Sequence, residues 1–323
     1  MIQTTSLAAA THLPYADPHP ISLGPLTQPH PGTLATDEQR ALELDLERAS
    51  QVQRGLLPNS RVQFGEWNIG YQYKPAGLVG GDYCDLIPPT ETSQNRSLTF
   101  VIADVAGKGI AASLLTSHLH ATFRILAGMG LELDSILEVA NRLFCESTTS
   151  GQYATLICGR ISNNGVVEIA SAGHLPALVI SRDGVKKIDA TGLPLGIFPA
   201  SRYSVHRFQL EPGDSLLLYT DGISEARDLA GEEYGIDGLA SAVSSRHGWS
   251  SDELVAACHE DIDRYSYGTR QADDQTLLAI QRSEPQAEPF KDSSPEVFAA
   301  LAKICRFGCA RKETRNATVN LAR

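Results

Sequence analysis

Four aspartates stand where buried strands run out, and that address is the most chemically suggestive feature of the sequence. The run LTFVIAD ends in Asp104, followed by the turn VAGKG and a helical stretch. The run DSLLLYT delivers Asp221, with Gly222 behind it. The pair Asp273–Asp274 immediately precedes the strand-like QTLLAI, and Asp82 follows Gly80 and Gly81 in PAGLVGGDYCDLI. A carboxylate pinned at a strand end holds its geometry better than one on a free loop. Carboxylate oxygens unaccompanied by His or Cys are hard donors that select Mg2+ or Mn2+ over zinc. Two such ions about 3.5–4 Å apart deprotonate a bridging water and clamp phosphate oxygens. Positioning and electrostatics then carry a phosphoryl transfer without a covalent nucleophile. One Asp alone is usually a cap or a turn residue, but four in one kind of setting are hard to read that way.

The elements that must position these acids are unevenly mixed. GEWNIGYQY, LTFVIAD, YATLICGRI, VVEIASAG, ALVISR, SVHRFQL, DSLLLYT and QTLLAIQ read as strands, rich in β-branched and aromatic residues and bounded by Gly, Pro, Asn and Asp. Helical runs are fewer, at 111–127, 133–148 and 252–265. Several strands arrive in succession without a helix between them. Strict βαβ alternation is therefore absent, and a layered α+β sandwich over 64–283 is predicted instead of a doubly wound sheet.

Ahead of it, EQRALELDLERASQVQRGLLP predicts a helix over 37–58, with Thr36 or Asp37 as cap and Pro58 as stop. Leu42, Leu46, Ala49, Val52 and Leu56 trace an apolar stripe along it. Packing on its own domain and pairing two copies as a homodimer are both open. Residues 1–36 read as a disordered leader. Residues 284–323 read as a polar, basic tail with a short helix at 296–305, solvated or in contact with an acidic partner or a membrane surface.

Composition removes several classes. A net charge of −11 over 323 residues argues against a general nucleic-acid binder. No apolar run approaches 18 residues, so no membrane span is expected, and the opening MIQTTSLAAATHLPY lacks the pattern of a secretory signal. Six cysteines without a CxxC suit free thiols in a reducing cytoplasm.

Taken in order, ASQVQRGLLP, YKPAGLVGGDYCDL, VIADVAGKGIAASLL, YATL, ASAGHLPALVI, GLPLGI, LLLYTDGISEARD, YG and DDQTLLAI resemble the PPM-type serine/threonine phosphatases, in their bacterial SpoIIE/RsbU-like branch. The resemblance runs from Ala49 to Ile280. It implies an αββα sandwich with two divalent cations, Mn2+ or Mg2+, at one end. Asp104 resembles the family's ligand to both metals. Asp82 resembles the second-metal ligand, with the carbonyl of Val105 as its main-chain partner. Asp221 and Asp273 resemble the remaining first-metal ligands, and Asp274 does not align with a ligand. The implied activity is hydrolysis of phosphoserine or phosphothreonine on a regulatory protein, such as an anti-sigma-factor antagonist. The alternative is a non-catalytic switch module of the same fold that sequesters a partner. Two departures stand out: Cys84 replaces a customary aromatic, and no PAS, GAF or receiver-type pattern appears in the 36 residues before the helix.

Other motifs carry less. AGKG at 106–109 lacks the spacing and the Ser or Thr of a phosphate-binding P-loop, and GLVGGD is not a dinucleotide fingerprint. Cys305 and Arg311 have the spacing of a cysteine phosphatase but no core strand ahead of them. His174 in SAGHLP reads as a structural histidine in a turn, with a base or ligand as the sharper alternative. Lys74 and Lys108 could contact phosphate, and Asp85 and Glu225 could support a metal through water.

Overall fold

The computed structural model describes residues 34–89, 97–149 and 151–283, with backbone alone for 34–38. The expected leader up to residue 33 and the tail from 284, including the 296–305 helix and Cys305–Arg311, lie outside these residues. The chain divides into a unit of residues 1–45 and a second unit of residues 46–323.

Helix α1 (Leu34–Leu56) begins earlier than its pattern predicts, so Thr36 and Asp37 lie inside it instead of capping it. Its expected apolar stripe is split. Leu46, Ala49 and Leu56 are half-buried, but Leu42 and Val52 are exposed, and the most buried positions are the polar Ser50 and Gln53. Hydrogen bonding explains Gln53. Its Oε1 accepts from the Gly80 N–H at 3.0 Å, while its Nε2 donates to the Gly80 carbonyl at 2.8 Å and the Thr116 hydroxyl at 3.2 Å.

Two antiparallel sheets follow. One has six strands: β1 (Arg61–Phe64), β2 (Trp67–Lys74), β11 (Gln275–Arg282), β10 (Ser215–Tyr219), β7 (Ala177–Ser181) and β8 (Gly184–Ile188), in that spatial order. The other has five: β3 (Asp82–Ile87), β4 (Ser97–Val105), β5 (Ala154–Ser162), β6 (Val166–Ala172) and β9 (His206–Gln209). Helices α2 (Ile110–Ala127) and α3 (Leu133–Ser147) cover the five-stranded sheet, and α6 (Ser251–Tyr265), with α5 (Gly235–Val243) beside it, covers the six-stranded one. The one-turn α4 (Asp221–Ser224) follows β10. The expected αββα sandwich is present. Helices α4 and α5 and strands β1 and β8 are additions that the sequence patterns did not reveal, being short or polar.

Why do the central strands read as continuous apolar runs? Each sheet is covered on both faces, so neither side of a central strand meets water. On β4, Val101, Ala103 and Val105 pack under α2 and α3 with Leu119, Phe123 and Phe144. Phe100 and Ile102 point the other way, into the layer between the sheets, with Trp67, Ile69, Leu218 and Leu278. A third cluster joins Leu217, Tyr219 and Leu277 to Leu254, Cys258 and Ile262 of α6. Cys84, the departure from the family's aromatic, is fully buried in the inter-sheet layer. At one end of that layer the Trp67 indole donates to the Ser162 carbonyl at 3.0 Å, tying the sheets together.

Helix α6 carries one buried polar anomaly. It opens with a capping box between Ser250 and Glu253, and its His259 is buried with no hydrogen-bond partner at either ring nitrogen among the described residues. Burial pushes the His259 pKa down to about 4; Asp263 opposes this and Lys74 of β2 adds to it, those two being paired with each other at 2.7 Å. Between the ordinary imidazole value of about 6.5 and about 4, the unfolded chain binds a proton at this site that the folded chain does not. Its contribution to stability is therefore intact above about 6.5 and declines as pH falls through that window. His259→Phe should flatten this part of the stability profile in urea titrations between pH 7 and 4.5. An unchanged slope would show that His259 does not titrate this way.

Candidate metal centre

The four aspartates reach one rim of the sandwich by strand pairing. Asp82 opens β3 directly opposite Asp104 near the end of β4, and Asp104 faces Thr155 of β5 on its other side. In the other sheet, β10 and β11 are adjacent, so Asp221, just after β10, and Asp273, just before β11, come to the same edge. Asp82 then reaches across between sheets. Its buried Oδ2 accepts from the Thr220 hydroxyl at 2.7 Å and from the Thr276 hydroxyl.

The electrostatics follow from this crowding. Burial raises the Asp82 pKa and Asp104 raises it further, against the two threonine hydroxyls that lower it. Asp104 is raised by burial, then by Asp221, Asp273 and Asp274, and it shares a hydrogen bond with the Asp221 carboxyl. Asp221 is raised by burial and Asp273, and lowered by the Gly222 N–H and by that bond from Asp104. The Asp273 Oδ2 meets Lys108 Nζ at 2.7 Å, and its Oδ1 accepts from the Asp274 N–H at 2.9 Å. Lys108 also donates to the Ala272 carbonyl at 2.8 Å, so the turn after β4 is tied to the loop before β11.

Do these residues suit a divalent cation? Among the described residues no three His, Cys, Asp or Glu side chains meet closely enough to hold one as they are turned. The reason is local: Asp82 Oδ2 is held by two threonines and Asp273 by Lys108 and the backbone. The donor set nevertheless fits a hard cation, being oxygen throughout, with Asp82, Asp104 and Asp221 each held above the ordinary carboxylate pKa by burial and a neighbouring acid, the imbalance a divalent charge relieves. The backbone fits as well. The Val105 carbonyl lies so close to Gly81 that a Cβ there would sit 2.8 Å from its oxygen, which explains the glycine.

The remaining polar candidates divide between the backbone, the core and the cleft. Asp274 has both oxygens on backbone, Oδ1 with the Ala76 N–H at 2.8 Å and Oδ2 with the Gly81 N–H at 2.7 Å, so it clamps the loop leading to Asp82. Asp85 turns away from the rim. Fully buried, it takes two bonds from Arg124 of α2, both 2.7 Å, with the Tyr83 hydroxyl at 3.2 Å and His120 at 3.4 Å. Lys74 is paired with Asp263, and Glu225 is exposed beside a cleft of about 460 Å3 that Lys108, Arg227 and Arg270 also line. His174 is buried and bonded at both ring nitrogens, as a structural histidine should be, and burial holds its pKa down at about 4. Thr220, Thr276 and Arg124 were not singled out in the sequence. The threonines sit inside the quoted YTDG and DDQT, but nothing about an isolated threonine announces which carboxylate it serves.

The sequence model described as Stage II sporulation protein E (SpoIIE) matches residues 94–283, more than half of the 323 residues and inclusive of Asp104, Asp221 and Asp273. The chain belongs to the SpoIIE family. It is 28% identical over 247 residues to Phosphoserine phosphatase RsbU of Bacillus subtilis, covering 76% of this chain and 72% of that protein. It is 25% identical over 269 residues to Protein IcfG of Synechocystis, covering 74% of this chain but only 42% of that longer protein. Among solved structures, the SiaA-PP2C domain of Pseudomonas aeruginosa aligns with a TM-score of 0.64 at 20% identity, over 76% of this chain and 98% of that domain. At that identity the likeness establishes the PP2C fold alone. Asp82 lies before the matched SpoIIE segment, so its place at the rim rests on the strand register with Asp104.

The Asp85–Arg124 pair joins α2, the helix after the Asp104 loop, to β3, the strand that begins with Asp82. Arg124→Ala leaves the fully buried Asp85 carboxylate with only the Tyr83 hydroxyl and His120, and should cost about 2–3 kcal/mol of unfolding free energy at neutral pH, the half-exposed guanidinium and the remaining partners keeping it at or below the range for a fully buried pair. Adding Asp85→Asn should recover much of that loss in urea melts. Equal losses in the single and double variants would refute the coupling.

Proposed function

We propose that this chain is a metal-dependent protein phosphatase that hydrolyses phosphoserine or phosphothreonine on a regulatory protein in bacterial signalling. The observation that carries the reading is the gathering of Asp104, Asp221 and Asp273, with Asp82 in register, at one edge of the two sheets. The phosphoserine phosphatase named among the relatives supports it. Asp82, Asp104, Asp221, Asp273 and the Val105 carbonyl would hold two divalent cations, Mn2+ or Mg2+. When bound, such ions act as Lewis acids on phosphoryl oxygens and make water more acidic.

The remaining work falls to the chain itself. Thr220 and Thr276 orient Asp82. Lys108 tethers the turn after Asp104 to the Asp273 loop. The cleft beside the acids is lined by Lys74, Lys108, Arg227 and Arg270 together with Glu225, Asp263 and Asp273, so cations able to meet a phosphate stand among acids that pair with them. Among the described residues no helix is long and apolar enough to cross a membrane. An anti-sigma-factor antagonist remains the substrate that the family resemblance suggests.

Manganese-dependent hydrolysis of p-nitrophenyl phosphate, and of a phosphoserine protein, should fall about 100- to 1,000-fold in Asp104→Ala. EDTA should abolish it. Full activity in that variant, with folding confirmed by circular dichroism, would refute the mechanism. Calorimetry that detects no divalent-ion uptake by the wild-type chain would favour the sequestering module.

We infer pairing of two copies through the 37–58 region from the apolar Leu42 and Val52 that α1 leaves exposed. Light scattering should report a dimer for the full chain and a monomer for Leu42→Asp combined with Val52→Asp. A monomeric wild type removes the pairing.

A further inference from the structure

Between the two sheets, directly beneath the acidic rim, the SAGH segment makes an unusual crossing. Strand β6 belongs to the five-stranded sheet and β7 to the six-stranded one, and residues 173–176 carry the chain from one to the other. Gly173 takes φ +65 there, in the left-handed region, and a Cβ on it would lie 2.5 Å from the Pro194 ring. A backbone bridge between Gly173 and Leu156 holds the crossing against β5. Both constraints aim the next residue, His174, into the gap between the sheets, where only 4% of it is exposed.

The ring spans the gap. Its Nε2 lies 3.0 Å from the Tyr219 carbonyl, which only accepts, so Nε2 carries the proton and donates. In the neutral ring Nδ1 is then the acceptor, taking the Thr155 hydroxyl proton at 2.8 Å. These two partners have particular neighbours. Thr155 is the residue paired with Asp104 across β4 and β5. Tyr219 is followed by Thr220, whose hydroxyl donates to Asp82, and then by Asp221. Through one planar ring, the strand beside Asp104 is coupled to the strand end that presents Asp221.

We propose that His174 is a positioning residue that sets the separation of the Asp104 and Asp221 carboxylates by bridging the two sheets from Thr155 to Tyr219. The inference rests on the metal-centre reading above and extends it to a residue that touches neither ion nor substrate. A ring fits the task because it holds an acceptor and a donor at fixed separation on opposite sides. A flexible amide reaches the same atoms only with added freedom, and a purely apolar side chain fills the space but leaves the Tyr219 carbonyl and Thr155 hydroxyl unpaired. Packing alone would not require either hydrogen bond.

Mn2+ binding to the full chain, measured by titration calorimetry without substrate, separates the two roles, with urea unfolding in EDTA as the parallel stability measurement. His174→Leu should weaken Mn2+ binding about 10- to 100-fold, the usual penalty for losing a group that orients a metal's ligands. Thr155→Val, which removes one of the two bonds, should weaken it less, and Thr155→Ser should restore it. His174→Gln, retaining a donor for Tyr219, should fall between wild type and His174→Leu. Wild-type Mn2+ affinity in Thr155→Val and His174→Gln, with lowered stability in EDTA, would overturn the proposal and leave the metal-centre reading intact; these two variants decide the matter if His174→Leu does not fold. No uptake by the wild type would overturn both.

Discussion

Acidic side chains gathered at a half-buried edge repel one another, and this repulsion is the constraint that the rest of the structure must withstand. Burial and the neighbouring Asp221 and Asp273 raise the Asp104 pKa, burial and Asp273 raise that of Asp221, and Asp82 is raised by burial and by Asp104 on the neighbouring strand. Loops could not keep such charges together, because relaxing apart would cost them little. Here each acid is anchored to a strand whose faces are buried, so separating the acids means opening an apolar layer. The hydrophobic core thus supplies the rigidity that the electrostatics oppose.

The cross-links are distributed accordingly. At one end of the inter-sheet layer, the Trp67 indole reaches the Ser162 carbonyl. At the acidic end, Asp82 binds two threonines of the opposite sheet, Asp274 binds the Gly81 N–H, and His174 joins Thr155 to Tyr219. Outside the sheets, Arg124 ties α2 to the buried Asp85 of β3, and Gln53 of α1 binds both the Gly80 backbone and Thr116 of α2. The segment that carries Asp82 is therefore held from three directions: by α1, by the loop before β11, and by the six-stranded sheet.

Much of this was legible in the residues. Continuous apolar runs ending in Asp, with glycine or a second acid beside them, identify strand ends at a sheet edge. Their order along the chain carries the family. The helices over 110–127, 133–147 and 251–265 follow from periodicity because their apolar faces are long. The pattern misled at α1, where Leu42 and Val52 complete a stripe on paper but the buried face is built around Gln53, whose hydrogen bonds hydropathy does not register. It was silent at α4 and α5, too short to establish a period, and it could not tell which sheet each strand joins.

The sequence by itself determined the chemistry on offer, hard oxygen donors at strand ends, because residue type and adjacency to a buried run are local properties. Tertiary structure alone decided which acid does what. Asp85 and Asp274 have the same side chain as Asp82 and stand near glycines or other acids, yet one is turned to Arg124 and the other to backbone N–H groups. That division depends on register between strands and on the crossing from one sheet to the other. Both are set by contacts between residues distant in the sequence, 39 positions apart for Arg124 with Asp85 and 138 for Thr220 with Asp82, and no short window along the chain contains them.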